Sequence, residues 1–141
     1  MLGKGMAVTL VNHQSKLVEN LVVGDHVKTL DGVNRVVSHV TVQSDVALYE
    51  LDYRNTRLVC DETQRITNKG GKTFTVSNLA LMVKNGGGRK VGVHARTQRM
   101  SNRKSNLRRF LPVPASTAYS VSLNPAGAYV CQDVSLHSDN G

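Results

Sequence analysis

The chain has 141 residues, a net charge of +8, no Trp and only 4% aromatic residues. That length suits one domain with one core. No apolar run approaches the roughly 20 residues needed to cross a bilayer, and the N-terminus lacks the apolar core of a secretion signal, so a soluble cytoplasmic protein with no membrane partner is expected.

Met6–Val11 reads as a first strand, and Asn12-His13-Gln14 as a polar turn. In Lys16–Leu21 the spacing of Leu17, Val18 and Leu21 predicts a single helical turn laid on a core. Gly24-Asp25 breaks that run, because Gly accepts the positive φ of a turn and Asp can bond its own backbone. His26–Thr29 resumes as strand and Asp31-Gly32 reads as a hairpin turn. Asn34–Val42 is a Val-rich strand. Val46–Tyr53 follows, with Val46, Leu48 and Glu50 expected on one face and Ala47, Tyr49 and Leu51 on the other. Asn55-Thr56 turns the chain into a strand at Arg57–Cys60. Arg65–Thr67 and Lys72–Val76 flank a hairpin signal at Asn68–Gly71. Ser77–Val83 fits either a helical turn or a short strand.

Asn85–Gly88 marks a change of composition. Between Lys84 and Arg109 lie nine of the 18 basic residues and no acid, so the rest of the chain is nearly neutral. Few apolar anchors occur there and the stretch runs into Pro112 and Pro114, so a long exposed loop is expected. Strand signals return at Ala118–Leu123, Tyr129–Cys131 and Val134–Leu136, with a turn at Asn124–Gly127 and a polar tail from Ser138. Short strands, frequent turns and almost no helix indicate an all-β domain. Cys60 and Cys131 stand far apart with no His close to either. Each reads as a small core residue, not as part of a disulfide framework or a zinc site. His13, His26 and His39 share no short spacing and read as surface or strand residues.

The segments Met1–Val8 and Leu17–Gly32 (LVENLVVGDHVKTLDG) resemble the opening of an intein, the Hint fold shared with hedgehog autoprocessing domains. Cys60–Thr67 leading to Gly70-Gly71 is similar to the internal intein block written Thr-x-x-His. Tyr119–Leu123 and Tyr129–His137 resemble the strands that end an intein at a penultimate His and a terminal Asn. The blocks occur in the family's order. The resemblance implies an all-β Hint horseshoe of paired strands with a pseudo-two-fold arrangement, as in a mini-intein or a fused split intein. Residues 1–83 would carry the N-terminal splicing blocks and 112–141 the C-terminal ones. The basic loop 84–111 would stand where an endonuclease, linker or split site is found.

The implied activity is single-turnover protein splicing: an acyl shift at residue 1, transesterification, then Asn cyclisation. The implied partners are flanking extein segments in cis or a complementary fragment in trans, with no cofactor or metal. Position by position, however, the chain departs from the pattern. Met1 stands at the nucleophile position, and a thioether cannot undergo the acyl shift. Read as a translational start, it also leaves nothing upstream to splice. Asp61 and Gln64 take the places of the internal Thr and His, and Gln64 cannot shuttle a proton near neutral pH. Ser120 and Gly127 stand where some members carry Asp and His. His137 matches the penultimate His, but Ser138 follows where the terminal Asn belongs and cannot form a succinimide. A shifted register would make Asn140 the terminal Asn, with Gly141 offering no nucleophile after it; otherwise Asn140 belongs to a disordered tail. The expected state is therefore a splicing element disabled at both junctions. The competing readings are a small basic β-domain binding nucleic acid through 84–109, where no aromatic residue provides a stacking platform, and a retained Hint scaffold with a structural role.

Overall fold

The structure, a computed structural model, describes residues 1–68, 70–81 and 107–141. These form eleven strands in two antiparallel sheets: β1 Leu2–Gly3, β2 Ala7–Thr9, β3 Ser15–Leu17, β4 His26–Val27, β5 Arg35–Tyr53, β6 Thr56–Cys60, β7 Arg65–Thr67, β8 Thr73–Thr75, β9 Leu107–Asn124, β10 Ala128–Cys131 and β11 Val134–His137. The first sheet runs β4-β5-β6-β1-β9, with β5 also paired to β9; the second runs β3-β2-β10-β11-β7-β8. The helical turn expected from the Leu and Val spacing is a 3-10 turn at Val18–Asn20, which buries Val18. Residues 76–81, open between helix and strand in the sequence, are helical. The architecture is the all-β arrangement expected.

The tight turns follow the chemistry of their residues. Arg54 and Asn55 both take positive φ between β5 and β6, and Gln132 and Asp133 do the same between β10 and β11. Two successive left-handed residues give a hairpin turn whose twist matches that of the strands. The β5–β6 turn is thus centred one residue earlier than Asn55-Thr56.

The largest departure from the sequence reading is a long ribbon. The strands expected at 34–42 and 46–53 are one 19-residue strand, bulged between Gln43 and Val46. Asp45, at the bulge, has a φ of +54°. β9 runs antiparallel beside it, from Tyr53 opposite Leu107 to Val36 opposite Asn124. Residues 107–111, assigned to the basic loop, are therefore strand, and Pro112 and Pro114 lie inside β9. Prolines are tolerated there because, among the described residues, β1 pairs with the other side of β9 only at Ala118 and Tyr119, so no strand pairing asks Pro112 or Pro114 for an N–H donor on that side. Residues 82–106, which hold the rest of that loop, lie outside the described residues.

Val46 and Leu48 are buried as one face, but so are Leu51 and Tyr53, so the expected two-face alternation slips across Tyr49 and Glu50. On the remaining face Tyr49 stacks on Phe110 with ring centroids 4.6 Å apart, which covers both sides of this part of the ribbon. The short strand β1 is wedged between β6 and β9, with Leu2 opposite both Cys60 and Tyr119. Gly3 makes this wedge fit, since a Cβ there would lie 2.7 Å from Val59 Cγ1.

Leu51 is fully buried and Val42 is 60% exposed on the same strand. Leu51→Ala is expected to cost about 2–5 kcal/mol in chemical denaturation, and Val42→Ala about 0.5 kcal/mol or less. Equal losses would refute this placement of the core. Burial would raise the pKa of Asp25 and Asp31, but the Val22 amide and Lys16 outweigh it at Asp25, as the Val33 amide and Arg35 do at Asp31, so both are held below the ordinary carboxylate value. With folded values below unfolded ones, their contribution is complete above about pH 4 and is lost as pH falls through the folded values. The double variant Asp25→Asn/Asp31→Asn should flatten the acid limb of the stability–pH curve; an unchanged limb would contradict the assignment.

Candidate functional site

Wedging β1 between two strands sets Met1 at the mouth of the turn that follows β6. Its carbonyl accepts a hydrogen bond from the Asp61 N–H at 3.0 Å. Its nitrogen faces three oxygens: Asp61 Oδ1 at 2.8 Å, Gln64 Oε1 at 3.0 Å and Asp139 Oδ1 at 3.4 Å. The other Asp61 oxygen accepts from the Thr63 hydroxyl at 2.7 Å, which fixes the carboxylate in the 61–64 turn.

Gln64 is fully buried. While Oε1 accepts from Met1, Nε2 donates to the carbonyls of Arg65 (3.1 Å) and His137 (3.3 Å). One carboxamide therefore touches both ends of the chain. It can do so because β7, which begins just after Gln64, pairs with β11, with Leu136 opposite Ile66.

Beyond β11 the carbonyl of Ser138 receives two donors: His137 Nδ1 at 2.8 Å and Arg65 Nη2 at 2.7 Å. A carbonyl only accepts, so this contact places the imidazole proton on Nδ1. Two donors converging on one carbonyl polarise it and suit an oxyanion forming there. Ser138 is itself fully buried. Its N–H donates to the Gly127 carbonyl at 2.8 Å, and its hydroxyl accepts from the Gly127 N–H at 3.0 Å and donates to Asn140 O at 3.2 Å.

The tail is not disordered, contrary to the expectation for Asn140. The Asp139 N–H donates to the Val121 carbonyl, and Asp139 Oδ2 accepts from the Val121 N–H at 2.7 Å. The Asn140 amide pairs in the same way with Leu123, accepting at 3.0 Å and donating at 2.9 Å. These side chains extend the pairing of β9 into the tail, which a period-2 pattern search cannot detect.

Of the residues singled out in the sequence, Met1, Asp61, Gln64, His137 and Ser138 come together; the Asn140 carbonyl accepts from Ser138 and Arg65, but its side-chain amide turns away to Leu123. Asp139 and Arg65 were missed. Asp139 is the only acid in the polar tail and Arg65 the only cation next to Gln64, which are the signals that could have found them. Of the nine basic residues in 84–109 only Arg108 and Arg109 fall among the described residues, and both are exposed. No group of three or more His, Cys, Asp or Glu that could hold a metal occurs among the described residues. No helix among them is long and apolar enough to cross a membrane.

No family profile and no curated protein sequence matches the chain. Solved structures do. The MchDnaB-1 intein matches with a TM-score of 0.69 at 18% identity, over 98% of this chain and 99% of that one. A DnaB intein from Synechocystis sp. PCC 6803 matches with a TM-score of 0.71 at 11% identity, over 97% and 96%. A bacterial intein-like domain from Clostridium thermocellum matches with a TM-score of 0.63 at 11% identity, over 99% and 97%. At such identities the likeness establishes the fold, over nearly the whole chain.

Cys60 adjoins the site but is buried and unpaired, as is Cys131. Burial pushes the Cys60 thiol up to about 12, although the charge on the Met1 nitrogen pulls it back; burial likewise drives Cys131 upward. Neither presents a thiolate near neutral pH. Iodoacetamide at pH 8 is expected to modify no cysteine in the native protein and both after guanidinium unfolding, read by intact mass. Native labelling of Cys60 would contradict its burial.

Proposed function

We propose that this chain, whose fold is the Hint fold of inteins, is a protein-splicing element whose two scissile junctions lie at residues 1 and 138 and whose own reactive groups have been replaced. It acts on segments that flank it in cis, or on a complementary fragment in trans. Residues 1–83 and 112–141 carry its two sets of splicing blocks, and 84–111 is the insertion or split position. The observation that carries this reading is the Gln64 carboxamide, which bonds the nitrogen of residue 1 and the carbonyl of residue 137 at once.

At the upstream junction a nucleophile at position 1 would attack the carbonyl preceding it, and the Met1 nitrogen would leave. Asp61 and Gln64 hold that nitrogen. A His at position 64 could give it the proton it needs, but Gln64 binds without proton transfer. At the downstream junction an Asn at 138 would turn its amide nitrogen onto its own carbonyl, closing a five-membered succinimide and expelling the nitrogen of residue 139. That carbonyl is the one bonded by His137 and Arg65, so the polarising groups are in place and the attacking amide is not. Residue 139 would then be the acyl acceptor, where Cys, Ser or Thr is required. Its side chain is 3.4 Å from the Met1 nitrogen, within reach of the upstream acyl group, but it is a carboxylate. The geometry supports position 138 over Asn140, whose amide is occupied by Leu123 and whose carbonyl lacks the His137 contact. The two unpaired, buried thiols fit a reducing, cytoplasmic setting.

Placed between two reporter proteins, the chain with Ser138→Asn is expected to release the downstream reporter, and His137→Ala in that background should slow release roughly 10²–10⁴-fold. Adding Met1→Cys, Gln64→His and Asp139→Ser should yield ligated reporters. If mass spectrometry of the folded fourfold variant finds only intact precursor, the splicing reading is overturned.

A further inference from the structure

Arg35, at the start of β5, is 7% exposed. Its guanidinium is anchored by Asp31, with Nη1 2.8 and 2.9 Å from the two carboxylate oxygens. It also donates to two backbone carbonyls on the far side of the fold: Nε to Ala126 O at 3.4 Å and Nη1 to Ala128 O at 3.2 Å. Between those carbonyls lies Gly127, with φ +151°. A Cβ on Gly127 would sit 2.3 Å from Arg35 Nη2, 2.4 Å from Nε and 2.5 Å from Cζ. The guanidinium therefore fills the space into which a side chain at position 127 would project. Gly127 spends its own N–H and C=O on the hydroxyl and N–H of Ser138.

We infer that Arg35 is a positioning residue for the downstream junction: its guanidinium takes the place of a side chain at position 127 and holds the backbone segment 126–128 that carries Ser138. It reaches residue 138 only through Gly127, so its effect is on geometry. Nothing else among the described residues bonds to both flanking carbonyls. Asp31 makes the arrangement tolerable, because a buried guanidinium without a counter-charge is costly. A cation from an early strand thus fixes a peptide 91 and 93 residues away in sequence. A glycine at 127 is required, since any side chain would expel the guanidinium.

Two measurements test this. Amide exchange, which needs no splicing, is read first on the chain with its own residues at 1, 64 and 138. Arg35→Ala is expected to accelerate exchange at Gly127 and Ser138 roughly tenfold or more, while Leu51 and Tyr53, in the same ribbon, keep their rates. Gly127→Ala, which leaves Arg35 present but displaced, should do the same. Uniform acceleration over all four amides would show a general stabiliser and overturn the inference, as would no change at Ser138. The second measurement rests on the splicing reading. In the Ser138→Asn background, Arg35→Ala should slow release of the downstream reporter roughly 10- to 100-fold, and Arg35→Lys should recover part of it. Unchanged release in Arg35→Ala would overturn the inference. Should Ser138→Asn release nothing, the comparison is made in the fourfold variant, and if that too stays intact the splicing reading fails and the exchange result alone decides the role of Arg35.

Discussion

A buried carboxamide with partners at both chain ends is the constraint on which the rest of the molecule turns. Gln64 has no access to water, so its oxygen and nitrogen must be satisfied by protein groups or carry a desolvation cost of about 1–3 kcal/mol. The groups that satisfy them come from residues 1, 65 and 137. Four pairings lie behind that arrangement: β1 with β6 and with β9, β7 with β11, and β11 with β10. The two sheets are therefore joined at the site by polar contacts as well as by the core.

The same framework separates two chemical requirements that a self-acting domain must combine. Orientation and polarisation are supplied by backbone pairing, by His137 and Arg65 on one carbonyl, and by Asp61 and Gln64 on one nitrogen. Under the proposed splicing reaction, nucleophilicity would depend on single side chains at positions 1, 138 and 139, where Met, Ser and Asp stand. The groups that engage the Met1 nitrogen and the Ser138 carbonyl include Asp61, Gln64, Arg65 and His137, which lie outside those three positions, whereas the Ser138 and Asp139 side chains also tie down the tail. At Ser138 the hydroxyl bonds to Gly127 and stays buried while His137 and Arg65 engage the carbonyl.

Arg35 and Asp139 extend the argument to residues outside the expected blocks. Asp139 ties the tail to β9 through Val121 and to the Met1 nitrogen. Arg35 ties the start of the long ribbon to the turn before β10. The Asp139–Met1 contact and those of Arg35 with Ala126 and Ala128 each span 91 residues or more and link elements that are not hydrogen-bonded neighbours in either sheet. They make the position of residue 138 depend on contacts from distant parts of the fold.

Local chemistry was legible in the sequence wherever it was decided locally. The turn at Gly24-Asp25, the hairpin at 68–71, the helical turn at Val18 and the fold resemblance could all be read from neighbouring residues, and the turn after Tyr53 to within one residue. The single ribbon of β5 and β9 could not. Pro112 and Pro114 look like breakers until β1 is seen to meet β9 only at Ala118 and Tyr119, and Asp45 looks like a break until its partner strand spans it. In the same way, Asp139, Arg65 and Arg35 have no local pattern that marks them, because each works on a partner brought near by strand order. Short-range backbone preference and hydrophobic spacing determined the elements. Which strand edges remain open, and which charges meet which carbonyls, was decided only when distant strands paired, since those contacts exist in no window of the chain.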